Sequence, residues 1–161
     1  MHKLIILFGV SGSGKSTIGK KISKDLKFKF IEADDFHSIN NINKMKRKLA
    51  LNDNDREEWL QALNNKLKDQ SINTVLACSA LKEKYRKKLI RGLDINIFWF
   101  CLKGEFDLIN QRLKKRNNHF FSSSLLQSQY DIIEYPDYCN FIDISESKNK
   151  IVELIKLKLL K

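Results

Sequence analysis

Eight residues near the start of the chain constrain it most: Gly9-Val10-Ser11-Gly12-Ser13-Gly14-Lys15-Ser16. They satisfy the pattern G-x-x-x-x-G-K-[ST] in full, directly after an apolar run and directly before an amphipathic stretch. The glycines let the backbone curl around an anion and turn successive N–H groups inward. A helix starting near Lys15 adds its positive end, and the Lys15 ammonium supplies a point charge for β- and γ-phosphates. The Ser16 hydroxyl is offered to Mg²⁺. The residues expected to hold a nucleotide, with ATP as the expected one, therefore run from Gly9 to Ser16 and on to Thr17.

Such a loop needs a strand before it and a helix after it, and the rest of the chain repeats that alternation. Strand candidates are Leu4–Phe8, Phe28–Ile31, Thr74–Cys78, Ile95–Leu102 and Asn140–Ile144. Between them apolar residues recur at helical spacing: Ile18, Ile22 and Leu26, then Trp59, Leu60, Leu63 and Leu67. Phe106, Ile109 and Leu113 make the next stripe, and Ile151, Leu154, Ile155 and Leu159 the last. A further helix over Lys82–Arg91 is expected to close at Gly92, a residue suited to a left-handed cap. Strand–helix–strand alternation predicts an α/β fold, a parallel sheet covered on both faces in three α/β/α layers. No repeat, low-complexity linker or composition shift divides the 161 residues, so a single domain is expected over 1–161.

The loop does not choose the reaction. A GTPase should carry Asn-Lys-x-Asp and Asp-x-x-Gly, and neither occurs. A helicase or transport ATPase should carry an acidic residue ending a buried strand, whereas Thr74–Cys78 runs into Ser79-Ala80-Leu81-Lys82. What remains is a kinase for a small molecule or a nucleotide.

Transfer to an alcohol needs a carboxylate near the acceptor hydroxyl. Glu32-Ala33-Asp34-Asp35-Phe36-His37 follows the second strand, at the edge where the phosphate loop lies. Asp34 is the expected catalytic carboxylate, and Asp35 is read as a helix cap. Downstream, Asp55 with Glu58 has capping-box spacing, which would put Arg56 in a first helical turn, where a cation opposes the macrodipole. An acidic substrate would compensate that charge. Lys82, Tyr85 and Arg86 add donors at the same end of the sheet, and His37 is divided between substrate contact and surface. A lid is expected over about 112–124, with Arg112 and Arg116 on one helical face to reach the ATP phosphates and stabilise the transferring charge. Ser124 with Gln127 would cap the next helix, which should stop at Tyr135 before Pro136.

The formal charge of +11 admits a nucleic-acid-binding ATPase, but only six of the 30 basic residues are arginine and no uninterrupted basic run exceeds three residues. Lysines spread over helix faces read as solvation. Cys78, Cys101 and Cys139 are odd in number, lack a Cys-x-x-Cys and fit a reducing compartment. The apolar run Leu4–Phe8 is too short for a membrane span or a signal sequence, so a cytoplasmic protein without a membrane partner is expected.

Taken in order, these motifs resemble the gluconokinase family. The resemblance is carried by Gly-Val-Ser-Gly-Ser-Gly-Lys-Ser, Ala-Asp-Asp-Phe-His (33–37), Asn-x-x-Lys-Met (41–45) and Leu-Asn-Asp-Asn-Asp-Arg-x-x-Trp-Leu (51–60). Cys-Ser-Ala-Leu-Lys-x-x-Tyr-Arg (78–86), Leu-Lys-Gly (102–104) and Arg-x-x-x-Arg-x-x-His-Phe-Phe (112–121) extend it. It implies a P-loop kinase fold like that of adenylate kinase, with a central five-stranded parallel sheet. It also implies ATP-dependent phosphorylation of D-gluconate at its 6-hydroxyl, and a homodimer. By that resemblance Asp34, His37, Lys44, Arg56 and Lys82 bind the substrate, and Glu32 supports Mg²⁺ beside Ser16. The chain departs from the family at Glu32 (usually Asp), Ser38 (Pro), Lys48 (Gly), Ala50 (Pro) and Asn118 (Gly). Same-fold kinases for a shikimate-like acid or a nucleoside monophosphate are the alternatives.

Overall fold

The computed structural model describes residues 2–115 and 122–160. Its centre is a five-stranded parallel sheet in the order β2-β3-β1-β4-β5. The strands are β1 (Lys3–Phe8), β2 (Lys29–Glu32), β3 (Thr74–Ala77), β4 (Asn96–Lys103) and β5 (Asn140–Asp143). Each lies within one residue of its expected limits. In the register, Ile5 sits between Val75 and Phe98.

The period-2 geometry of a strand explains the layers. Leu4, Ile6 and Phe8 project to one face, where they meet Trp59, Leu60, Leu63 and Leu67 of α3 (Glu57–Lys68) and Leu89 of α4 (Glu83–Leu89). Ile5 and Leu7 project to the other, against Ile18 and Ile22 of α1 (Lys15–Leu26) and Ile151 and Ile155 of α7 (Lys148–Lys158). β1 is apolar throughout because both of its faces are covered.

Three local expectations change. Between β2 and α3 a 3₁₀ turn (Ala33–Phe36) leads into α2 (Ile39–Lys46), whose N-terminus is capped by Ser38 accepting from Asn41 N–H at 3.2 Å. Neither Asp35 nor Asp55 is a cap. The 3₁₀ turn starts from Glu32, and a second 3₁₀ turn (Asn54–Arg56) makes Arg56 the residue that precedes α3. After α5 (Phe106–Lys114), α6 (Ser123–Ile132) is capped by Ser122 rather than Ser124 and ends three residues before Tyr135. Its end coincides with Glu134 N–H donating to Leu81 O at 2.8 Å, a tertiary bond that takes the chain out of the helix. Finally, α4 stops at Leu89, and the left-handed Gly92 (φ 72°) closes the turn beyond it.

Candidate active site

The phosphate loop connects β1 to α1. Gly9, Gly12 and Gly14 have φ of 144°, 81° and 97°, and a Cβ on Gly9 would lie 2.7 Å from Leu102 O. Side chains are excluded there by both dihedral and space. Lys15 folds over the loop, its Nζ donating to Gly9 O at 3.0 Å and Val10 O at 2.9 Å. Ser13 Oγ is buried without a hydrogen-bond partner, a polar atom inside the loop that an anion would satisfy.

Two recesses flank the loop. The first, about 330 Å³, is lined by Gly12, Ser13, Gly14 and Thr17 with Arg112, Lys115 and Lys148. Arg112 donates from Nη2 to Ile144 O at 2.7 Å, which holds it beside the loop. Arg116 lies outside the described residues, as do His119 and Asn118. The second recess, about 430 Å³, brings Ser11 and Lys15 together with Asp34, His37, Arg56 and Ser79, and α6 walls it with Leu125, Ser128, Gln129 and Ile132.

Trp59 organises the acceptor side. Its indole N–H donates to Ala33 O at 2.7 Å, fixing the 3₁₀ turn that carries Asp34, and its ring stacks on His37 at 4.5 Å. The His37 side chain is 7% exposed and the Asp34 side chain 74%, with Nε2 and Oδ1 3.8 Å apart. Burial lowers the His37 pKa and nearby Arg56 lowers it further, against the opposing pull of Asp34. His37 is thus a packed, neutral imidazole, whereas the Asp34 carboxylate stands open to the cavity. Arg56 is buried, donating to the Leu51 and Asn52 carbonyls with its guanidinium 5.3 Å from the Tyr85 ring.

The structure does not line this cavity with Lys44 or Lys82. Lys44 Nζ binds both Asp55 oxygens at 2.8 Å, and Asp55 Oδ2 also accepts from Asn52 N–H at 2.8 Å. Lys82 Nζ binds Asp53 Oδ1 at 3.0 Å, and Lys84 and the Tyr85 hydroxyl donate to the same carboxylate. Hydrogen bonds from Lys84, Tyr85 and Lys82 hold the Asp53 carboxyl well below the usual range. Both lysines therefore brace the 53–55 turn that delivers Arg56. Arg86, expected as an open donor, is 1% exposed: it donates to Ala80 O at 2.8 Å and Leu81 O at 3.2 Å and lies over the Phe8 ring at 5.2 Å. It clamps Ala80, a non-glycine residue at φ 39°, and so fixes the turn that carries Ser79.

Burial raises the Glu32 pKa and Asp34 adds to that, while the Ser16 hydroxyl and Lys15 oppose it. A hydroxyl hydrogen-bonded to a carboxyl offers hard oxygen donors of the kind Mg²⁺ prefers. Among the described residues no group of three or more His, Cys, Asp or Glu side chains converges on a metal position. Burial pushes the Cys78 thiol up to about 12, which removes it from any nucleophilic role. Among the described residues no helix is long and apolar enough to cross a membrane.

Ser79, Ser128 and Gln129 were not singled out from the sequence. Ser79 lies two residues past the end of β3, with its carbonyl accepting from Gly9 N–H of the loop at 3.3 Å, and a position just beyond a strand end is a usable signal. Gln129 is 118 residues from the loop it touches and carries none.

The chain is similar to known proteins along most of its length. Residues 11–152 match the family model described as shikimate kinase. The chain is 40% identical to a "Probable gluconokinase" of Dictyostelium discoideum, over 94% of this chain and 84% of the relative. It is 42% identical to the thermoresistant gluconokinase of Escherichia coli (strain K12), over 84% and 78% respectively. A crystal structure of a gluconokinase from Sinorhizobium meliloti 1021 superposes with a TM-score of 0.88 at 36% identity, covering 98% of this chain and 93% of that one.

Proposed function

This chain belongs to the gluconokinase family, within the shikimate-kinase-like P-loop kinases, and we propose that it carries the γ-phosphoryl of ATP to the 6-hydroxyl of D-gluconate. The products are 6-phospho-D-gluconate and ADP. The observation that carries this reading is the second recess, where two residues of the phosphate loop share one cavity with an open carboxylate and a buried guanidinium.

The division of labour follows from position. The N–H groups at the start of α1 bind the β-phosphate, and the Lys15 ammonium exchanges its loop carbonyls for phosphate oxygens. Gly12, Ser13, Gly14 and Thr17, with Arg112 beside them, face the nucleotide recess. Arg116 is assigned to the transferring phosphoryl by sequence position alone. Ser16 and Glu32 would hold Mg²⁺, which when bound neutralises charge across the β- and γ-phosphates. Asp34 orients the 6-hydroxyl and accepts its proton as the new P–O bond forms. Arg56 binds the gluconate carboxylate and His37 hydrogen-bonds a hydroxyl. Lys44 and Lys82, paired with Asp55 and Asp53, act from behind Arg56 by holding its turn. We also propose a cytoplasmic homodimer, to which the three unpaired buried cysteines lend only the reducing compartment.

The test is a coupled assay with ATP, Mg²⁺ and D-gluconate, run beside shikimate and nucleoside monophosphates. Gluconate should give the highest kcat/KM, and Lys15→Ala should abolish it. Faster turnover of shikimate or a nucleotide would assign the same fold to another acceptor.

A further inference from the structure

Resting on the kinase reading above, we propose that Gln129 occupies the phosphate loop's Ser11 N–H in the free enzyme, yields it to the γ-phosphate, and then binds an acceptor hydroxyl. Ser11 N–H donates to Gln129 Oε1 at 2.7 Å, and Gln129 Nε2 lies 3.4 Å from Ser11 Oγ. A two-point clamp thus joins the loop to α6, across 118 residues of sequence.

The lining of the two recesses shows which phosphate this concerns. Gly12, Ser13, Gly14 and Thr17 face the nucleotide recess, whereas Ser11 and Lys15 face the cavity that holds Asp34. A phosphoryl group passing from one recess to the other crosses at Ser11 and Lys15, so the Ser11 N–H is a donor for the γ-phosphate and not for the two phosphates behind it. In the free enzyme neutral oxygens satisfy both groups: Gln129 Oε1 takes Ser11 N–H, and the Gly9 and Val10 carbonyls accept from Lys15. An anionic phosphate oxygen makes a stronger, charge-assisted bond than a carboxamide oxygen does. ATP therefore displaces Gln129 where ADP does not.

The displaced carboxamide already lines the acceptor cavity. Gln129 sits on α6 between Leu125 and Ile132, which also line the cavity, and the same wall faces Asp34 and Arg56. With an acceptor and two donors it suits a polyhydroxy acid, whose hydroxyls both give and accept. Gln129 thereby couples the two substrates: the triphosphate frees the group that reads the acceptor.

The two halves predict opposite shifts, which loss of structure alone does not produce. Calorimetric titration with AMPPNP and with ADP, done without acceptor, reads the first half independently of turnover. Gln129→Ala should tighten AMPPNP by about two- to tenfold, the worth of one competing hydrogen bond, and leave ADP unchanged. The same variant should raise the gluconate KM by a similar factor. The isosteric Gln129→Glu should weaken AMPPNP, because a carboxylate keeps the N–H and repels the phosphate. Weaker or unchanged AMPPNP binding in Gln129→Ala, or an unchanged gluconate KM, overturns the proposal. Should the alanine variant fail to fold, unchanged AMPPNP affinity in Gln129→Glu does so instead. Failure of wild-type protein to phosphorylate gluconate would count against the function and leave the AMPPNP result standing.

Discussion

Lys48 occupies a backbone position made for glycine, and replacing it should stabilise the protein. α2 ends in a Schellman motif: Leu49 N–H donates to Lys44 O at 3.0 Å and Lys48 N–H to Met45 O at 2.9 Å, with Lys48 left-handed at φ 60°. A non-glycine residue held there costs about 1–2 kcal/mol, and a new glycine adds about 0.4–1 kcal/mol of unfolded-state entropy. The difference leaves Lys48→Gly more stable by about 0.5–1 kcal/mol. For a chain of this size that is a rise in Tm of about 1–4 °C. α1 supplies a control, because Lys27 (φ 56°) has the same motif, with Phe28 N–H on Ser23 O at 2.9 Å and Lys27 N–H on Lys24 O at 3.4 Å. Lys27→Gly should give a similar rise, and the double variant the sum. Lys48→Ala keeps its Cβ, so it should melt within about 0.5 kcal/mol of the parent. Scanning calorimetry of the four variants reads this directly. A fall in Tm for Lys48→Gly, or an equal rise for Lys48→Ala, would refute the strain argument.

On the role proposed for the open carboxylate, Asp34→Asn should lower kcat by about 10²–10⁴ while calorimetric ATP affinity holds. Arg86→Met should cost about 2–4 kcal/mol in urea denaturation, because it strips the buried Ala80 carbonyl of its guanidinium donor, leaves Leu81 O with the Glu134 N–H, and releases the strained turn. His37 binds its proton less readily in the folded protein, so the unfolded chain holds more protons between the lowered folded pKa and about 6.5. Stability should therefore fall as pH drops through that window and level off below it, and His37→Gln should flatten the slope in urea titrations at successive pH values.

The order of elements and the phosphate loop could be read from the sequence because each rests on local rules. A strand buried on both faces must be apolar, as Leu4–Phe8 is, and a loop that wraps an anion must place glycine where φ is positive, as at Gly9, Gly12 and Gly14. Asp34 was legible for a related reason: it follows a strand at the edge where the loop ends. The ambiguous signals came from polar residues, which have several uses at the same spacing. Asp55 and Glu58 have the interval of a capping box, yet Asp55 is drawn to Lys44, eleven residues back, and to Asn52 N–H. A charged group takes its strongest partner, and sequence distance does not rank partners that the fold brings together. Arg86 shows the same limit: its neighbours predict a helix surface, and only the packing of α4 on β1 buries it against Phe8. Local chemistry in the sequence thus set which nucleotide groups the chain can hold. The tertiary structure decided which of the cations line the cavity with Asp34 (Arg56, with Lys44 and Lys82 held back by Asp55 and Asp53) and placed Gln129 on the loop. Those outcomes depend on contacts between elements far apart in the chain, which no local pattern records.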